Sequence, residues 1–341
     1  MEFFGSWSIL TTNFLIVLYV AIGGVLLSSI LVLVNAQWRY QVYGYAAAFN
    51  SLLPIAFIML LVLLFNGEST FPWLADAENQ HLSGWHNYTF LVAREIIGFF
   101  IVAATCVYFC KMQKKVISRE SSAKDKANLK FIAVIVPFVY VFYGTMVAWD
   151  FEMTLTPGWH SAIYGAYHFL SNFHGFLACF SLFLIYLDLS GKRKKPYDAR
   201  VLNFMAQLML GFTILWTYFY FSQYLLIWYG RLPDEVARFS SMDEGLGLLW
   251  TTFLVFKFVI PFTALAAITA ARHNPILIGA VACSILAGTW LERYVWISGS
   301  VDSQYYHMPF THWFDVVVTV TVIVICSVVM HLGLRRRAMI K

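Results

Sequence analysis

Long apolar segments constrain this chain more than any other feature of its sequence. Several uninterrupted runs reach the roughly 20 residues that a helix needs to cross the hydrocarbon core of a bilayer. In addition, 60% of the residues are hydrophobic and only 12% are charged, and the mean hydropathy is +0.69. No segment shows the ten-residue alternation of an outer-membrane barrel strand. We therefore predict an all-α integral membrane protein that crosses the bilayer many times.

The sequence predicts about nine transmembrane helices of near-standard length. Their expected bounds are Thr12–Val34, Gln41–Phe65, Thr89–Cys110, Asn128–Trp149, Ser161–Leu187, Val201–Tyr229, Leu246–Ala271, Pro275–Trp296 and Trp313–Leu334. The longest connection, Asn66 to Tyr88, is too short for a soluble domain. The N-terminus lacks the basic region of a cleavable signal peptide, so the first apolar run is expected to be a permanent span.

The loops alternate in charge along the chain. Those after the third, fifth and seventh spans (KMQKKVISRESSAKDKANLK, GKRKKPYDAR and ARHN) and the terminal RRRAMIK are basic. The loops between them are acidic, aromatic or nearly neutral. Basic loops remain on the cytoplasmic side. We therefore expect the N-terminus outside and the C-terminus in the cytoplasm.

Composition argues against a metal or haem centre in this chain. The five cysteines all lie in apolar runs and form no C-x-x-C pair, so neither an iron–sulfur cluster nor a structural zinc site is expected. A b-type haem needs axial histidines on different helices, whereas His168 and His174 both lie on the fifth span. The modest net charge of +5 does not suggest a nucleic-acid patch.

Two spans carry polar stripes. On the fifth, a 100° rotation per residue places polar groups on one face and apolar groups, expected to meet lipid, on the other. The polar face holds Tyr164, Tyr167, His168, Ser171, Asn172, His174 and Gly175, and the apolar face holds Ile163, Phe169, Leu170, Phe173, Phe176 and Leu177. The sixth span places Thr213, Trp216, Tyr220, Gln223, Tyr224 and Ile227 on one side. These stripes indicate either a cavity or ordinary helix packing through polar contacts.

Six ionisable residues interrupt the apolar runs, namely Arg94, Glu95, Asp150, Lys257, Glu292 and Arg293. Buried charges are costly unless they are paired or hydrated, so all six should face the interior of the bundle. Lys257 precedes a kink expected at Pro261. These residues either take part directly in chemistry or form static pairs, such as Arg94 with Asp150 or Lys257 with Glu95.

Several longer segments resemble a known family. The sixth span and the next loop, WTYFYFSQYLLIWYGRLPDEVARF, are similar to those of ActF-type membrane subunits of bacterial alternative complex III, within the wider NrfD and polysulfide-reductase membrane-subunit family. The similarity extends to WDFEMTLTPGWHSAIYGAY, FLVAREIIGFF and FKFVIPF, with Arg94, Asp150, Pro157, Trp159, Ser161, Gly165 and Pro261 in the expected places. WLERYVWI is closer to the quinol-binding ActC paralogue. The chain departs from the family in having about nine spans rather than ten, and in the sequence GRLPDE.

The resemblance implies an architecture and a setting. Residues 1–155 and 156–300 would each form a four-helix transmembrane bundle, and residues 301–341 a peripheral C-terminal transmembrane helix with a basic cytoplasmic tail. The setting would be the bacterial inner membrane. The partners would be an ActC-like membrane subunit, an iron–sulfur subunit and c-type haem subunits, which would hold all the redox cofactors. This chain itself would hold no redox cofactor, but it could bind quinone or quinol.

The resemblance also implies a function in quinol:electron-acceptor oxidoreduction, with an acceptor of the cytochrome c type. The chain would contribute a periplasm-facing quinol cavity or a proton path. Candidate residues for either role are Arg94, Glu95, Asp150, Tyr164, His168, Tyr220, Gln223, Lys257, Glu292 and Arg293, and no catalytic residue is assigned. Two other hypotheses remain open. One is a secondary transporter that uses Lys257 and Glu95 as coupling charges, and the other is a purely structural anchor.

Overall fold

The computed structural model describes residues 4–74, 82–118, 121–192, 198, 200–231, 233–268, 272–300 and 308–336. Within these ranges the chain is helical without any β-strand, and nine helices are long and apolar enough to cross a membrane. They are α1 (Phe4–Leu33), α2 (Arg39–Phe65), α3 (Tyr88–Ile117), α4 (Ala123–Met153), α5 (Tyr164–Leu189), α6 (Arg200–Gly230), α7 (Glu235–Ala267), α8 (Pro275–Ser298) and α9 (Trp313–Arg336). The predicted fold class and number of spans are confirmed.

Several helices extend beyond their predicted bounds, and two of these extensions, in α4 and α7, reach the site described below. Helix α4 continues beyond Trp149 as a π-helical turn, Trp149–Met153. Ahead of the predicted start of the seventh span, the chain is already helical from Pro233, and a kink with non-helical angles at Leu246 joins the two parts. Both extensions matter below, because they carry Glu152 and Arg238.

Helices α1 and α5 form the centre of the molecule. In their most apolar windows, 89% and 78% of the residues are buried, against 6% in α9. Helix α5 packs against α1, α4, α6 and α8, so it has no free side. The expectation that one face of α5 meets lipid is therefore wrong, and Phe173, Phe176 and Leu177 are buried. The periodicity of a single helix cannot reveal how many neighbours surround it.

Polar and apolar residues of α5 also separate along its length. Towards Leu189, the rings of Phe173, Phe176 and Phe180 stack in sequence, with centroids 5.9 and 5.7 Å apart. Phe49 of α2 packs edge-on against Phe176 and Phe180. This phenylalanine column starts at Phe173, beyond the group of polar residues that begins at Tyr164. Two buried polar residues lie beside the column: His174 Nε2 is 3.2 Å from the Thr213 hydroxyl, and Ser181 donates to the Leu177 carbonyl oxygen over 2.8 Å.

Helix α1 contacts both parts of the chain, since it packs against α2, α4, α5 and α8. Its approach to α2 requires glycine at position 24, where a Cβ atom would lie 2.1 Å from the carbonyl oxygen of Ala46. The division into two four-helix bundles stays a prediction. Residues 337–341, part of the expected basic tail, lie outside the described residues.

Candidate functional site

The π-helical turn at the end of α4 supplies two fully buried carboxyl groups, Asp150 and Glu152. In a regular α-helix, residues two positions apart point about 200° away from each other. A π turn contains one extra residue and often marks a functional site. Here Asp150 bonds to α3 whereas Glu152 bonds to α5 and α8. One turn therefore contributes a carboxyl group to each of two charged clusters.

The first, the Asp150 cluster, comprises Trp85, Arg94, Glu95, Tyr143 and Asp150. Arg94 donates from Nε to Asp150 Oδ2 over 2.7 Å and from Nη2 to Oδ1 over 2.5 Å. The Trp85 indole donates to the same Oδ1 over 2.7 Å, and the guanidinium lies 4.0 Å from the Trp85 ring centroid. The predicted Arg94–Asp150 pair is confirmed. Two parallel bonds of this kind fix the geometry of a pair as well as stabilising it.

Glu95 is the second carboxyl group of the Asp150 cluster and is fully buried. The Tyr143 hydroxyl donates to its Oε2 over 3.4 Å, and within the described part of the chain its Oε1 has no hydrogen-bond partner. Arg94 is already held by Asp150. A buried carboxylate without a counter-charge costs several kcal/mol. Glu95 can therefore hold a proton without disrupting an ion pair.

The second, the Glu152 cluster, contains Tyr19, Glu152, Tyr164, His168, Ser171, Trp216, Lys257, Glu292 and Arg293. Arg293 donates from Nη1 to both Glu152 oxygens, over 2.8 and 2.6 Å, and from Nη2 to Glu292 Oε1 over 2.7 Å. Lys257 forms an ion pair with Glu292 and donates to Ser171 Oγ over 2.7 Å. The predicted pairing of Lys257 with Glu95 is wrong, because Glu292 holds the lysine.

Charge balances within the Glu152 cluster. Two carboxyl groups, Glu152 and Glu292, face two cations, Arg293 and Lys257, and all four side chains are fully buried. Neighbouring groups satisfy the remaining acceptors. Ser171 Oγ donates to Glu292 Oε2 over 2.6 Å, and the Trp216 indole donates to Glu292 Oε1 over 3.1 Å. Such pairing and hydrogen bonding offset the cost of burying ions, and among the described residues Arg293 Nε is the one nitrogen of these two cations without a hydrogen-bond partner.

His168 links the Glu152 carboxyl group to Tyr19. Its Nδ1 lies 2.6 Å from Glu152 Oε2 and its Nε2 lies 2.9 Å from the Tyr19 hydroxyl, while Tyr164 donates to the same Oε2 over 2.6 Å. His168 Nδ1 also lies 2.5 Å from Arg293 Nη1, and the Tyr19 hydroxyl also donates to the Gly144 carbonyl oxygen over 3.3 Å. The direction of each bond therefore depends on which ring nitrogen carries the proton. The result is one continuous chain of hydrogen bonds, Tyr19–His168–Glu152–Arg293–Glu292–Lys257.

Two candidate residues lie apart from both clusters. The Tyr220 hydroxyl accepts a hydrogen bond from the Trp250 indole. Gln223 is buried, and its Nε2 has no hydrogen-bond partner among the described residues. Aromatic rings occupy the space between the two stripes, where Trp216 stacks on Tyr220 at 5.3 Å and lies 6.3 Å from Tyr167. We therefore find rings where the stripes suggested a cavity. Tyr224, expected to face inward, is 48% exposed.

Sequence reasoning missed five residues of the site: Tyr19, Trp85, Tyr143, Glu152 and Arg238. Glu152 was assigned to a loop, although its position two residues after Asp150 at a span end was a usable signal. Tyr19 lies in a long apolar run that offers no pattern. Arg238 precedes the kink in α7 and donates to the carbonyl oxygens of Glu152 over 2.9 Å and Trp296 over 3.2 Å. It covers the end of the cluster that is formed by the π turn.

Bulky ligands cannot reach the two clusters, whereas hydrogen bonds connect the groups within each cluster. Glu95, Glu152, His168, Lys257, Glu292 and Arg293 all have 0% exposed surface. Hydrogen bonds join donors and acceptors of suitable acid–base chemistry, which is what proton transfer requires. No protein-family model matches the chain, and no curated protein matches it.

Proposed function

We propose that this chain is an ActF-like integral membrane subunit of a quinol:electron-acceptor oxidoreductase and that its buried network carries protons. The sequence resemblance supports the complex. The observation that carries the proton role is the continuous, fully buried chain of hydrogen bonds from Tyr19 to Lys257.

Complete burial favours a proton path over a quinol cavity in this chain. A quinol must contact the groups that accept its protons, and a ring of that size cannot reach side chains with 0% exposed surface. Protons, by contrast, can pass between hydrogen-bonded partners. Quinol oxidation releases two protons as two electrons leave, so such a complex needs this kind of route. The quinol itself would bind in the ActC-like partner.

The setting is part of the same proposal. The basic loops suggest that the N-terminus is periplasmic and the C-terminus cytoplasmic, in the bacterial inner membrane. The half of α5 that begins at Tyr164 would then face the periplasm. An iron–sulfur subunit and c-type haem subunits would take up the electrons, and this chain would hold no redox cofactor of its own.

Purification from native membranes tests the complex. A tagged chain, solubilised in mild detergent, should bring down membrane, iron–sulfur and haem-containing proteins together with quinol:cytochrome c activity. Tyr19→Phe, at one end of the hydrogen-bonded chain, and Glu95→Gln should each keep the assembled complex but lower its turnover. Glu68→Gln, at an exposed position in the short helix Gly67–Thr70, is the matched control and should change neither. A chain that purifies alone and colourless, yet is active, contradicts the proposal.

A secondary transporter is the second candidate, and the shape of α7 favours it. Lys257 lies in a π turn, Val255–Val259, and a second π turn, Thr263–Ala267, follows the short helical segment Ile260–Phe262. Transporter binding sites are often built from interrupted helices of this kind. Solute uptake by the purified chain alone, reconstituted in vesicles, would establish transport and exclude the oxidoreductase role.

A further inference from the structure

A large groove lies between α9 and the rest of the bundle. Its volume is about 1110 Å³, larger than the sites of most small-molecule ligands. It is lined by α1, α2, α5, α8 and α9, mainly with apolar side chains. Because α9 is the most peripheral span, the groove opens to the surrounding bilayer.

Contacts at both ends hold α9 in place and leave the groove between them. Near one end, Asn13 of α1 donates to the Thr319 hydroxyl over 3.0 Å and accepts from the Trp290 indole over 3.0 Å. Near the other, Met330 packs beside Ser51, with the hydroxyl 3.7 Å from the sulfur. The lining of α9 runs from Thr319 to Leu334, which at 1.5 Å per residue is about 22 Å.

The ends of the groove differ in charge. At the Leu334 end, the lining includes Tyr186, Lys192 and His331, and the Lys192 ammonium donates to the Tyr186 hydroxyl over 3.0 Å. Arg335 and Arg336 follow in the last turn of α9. The described residues 186–192 and 331–336 carry three permanent cations, Lys192, Arg335 and Arg336, and one acid, Asp188. A negatively charged group is therefore favoured at this basic end.

We infer that this groove binds an anionic phospholipid, with the phosphate at Lys192 and His331 and the acyl chains running along α9 towards Trp290. Basic pockets between transmembrane helices on the cytoplasmic side bind anionic head groups. The length suits an acyl chain, since about 22 Å exceeds half of the ~30 Å hydrocarbon core. The inference does not depend on the proposed function.

Native mass spectrometry of the purified full-length chain tests this site. After delipidation, phosphatidylglycerol or phosphatidylcholine is added at equal concentration. We expect a retained phosphatidylglycerol adduct and at most weak phosphatidylcholine binding. Lys192→Gln should weaken the adduct about fivefold, whereas Lys114→Gln, an exposed lysine at the same end but outside the groove, should leave it unchanged.

A second pair of variants tests the acyl-chain part of the groove. Ser327 lines it, whereas the next residue, Val328, is exposed on α9 outside it. Ser327→Phe should abolish the adduct and Val328→Phe should not. Equal retention of the two lipids, or full retention in Ser327→Phe, overturns the inference. So does cross-linking of Cys326 to a partner protein in native membranes, since this would place a protein helix in the groove.

Discussion

The two charged clusters share one turn of helix yet differ in how completely their charges are paired. In the Glu152 cluster, two carboxyl groups meet two cations and nearly every oxygen accepts a short hydrogen bond. In the Asp150 cluster, Arg94 is committed to Asp150, and among the described residues Glu95 forms no ion pair and accepts a long bond from Tyr143. The comparison suggests two different roles. The paired charges hold the Glu152 cluster together and can pass a proton between bonded partners, whereas Glu95 can hold a proton without disrupting an ion pair.

The largest loss of stability is expected when the Glu152 cluster loses one of its two cations. Arg293→Met leaves Glu152 and Glu292 without their shared guanidinium, and we expect a loss of about 3–5 kcal/mol in the free energy of unfolding. Equilibrium unfolding in mixed detergent micelles measures it. Arg336→Met, at an exposed position at the end of α9, is the control and should stay within about 0.5 kcal/mol of the parent. Equal losses in the two variants would contradict the structural role of Arg293.

A smaller loss in the free energy of unfolding is expected for Gly288→Ala on α8. A Cβ atom there would lie 2.6 Å from Lys257 Cγ, so Gly288→Ala must push the lysine away from Glu292. Overpacking of this kind costs about 1–3 kcal/mol. Gly279→Ala on the same helix meets only Ile185 Cδ1 at 3.6 Å and should be neutral or slightly stabilising. Unfolding measurements on both variants check the difference, and a tolerated Gly288→Ala would show that Lys257 is not held tightly.

Glu95→Gln should change stability by less than about 1 kcal/mol, because the substitution removes no ion pair and keeps an acceptor for Tyr143. Turnover of the assembled complex should nevertheless fall. Unfolding and activity measured on one preparation separate the two effects. A stability loss as large as that of Arg293→Met would show that Glu95 is a paired structural charge, and the contrast between the clusters would disappear.

The smallest effect is expected on the pH dependence of stability, to which His86 in the loop before α3 contributes. Burial lowers the pKa of His86, and the hydrogen bond of its Nε2 with the Thr154 carbonyl oxygen partly offsets this. The unfolded chain therefore binds the proton more readily, so stability falls as pH drops from about 6.5 towards the lowered pKa. Stability measured at several pH values should show this slope, and His86→Asn should flatten it. An unchanged slope would assign the pH dependence to other groups.

The sequence was sufficient to predict the number of spans and most of the charged residues of the site. Apolar run length determines what can cross a bilayer, and charges within such runs are conspicuous because they are costly there. It was not sufficient to predict which charged residues pair with each other. Whether Lys257 meets Glu95 or Glu292 depends on how helices pack, which no single segment encodes. Glu152 was missed because the predicted fourth span ends at Trp149, whereas a π-helical turn continues the helix to Met153.

The phenylalanine column has an electrical consequence. The side chains that α5 contributes to the Glu152 cluster run from Tyr164 to Ser171, about 10 Å at 1.5 Å per residue, or about a third of the hydrocarbon core. The phenylalanine column begins beyond them, at Phe173. Moving one elementary charge across the whole membrane at 100 mV changes its free energy by about 2.3 kcal/mol. A proton that moves only within this third of the core would therefore change its free energy by about 0.8 kcal/mol. Its movement would therefore respond only weakly to the membrane potential.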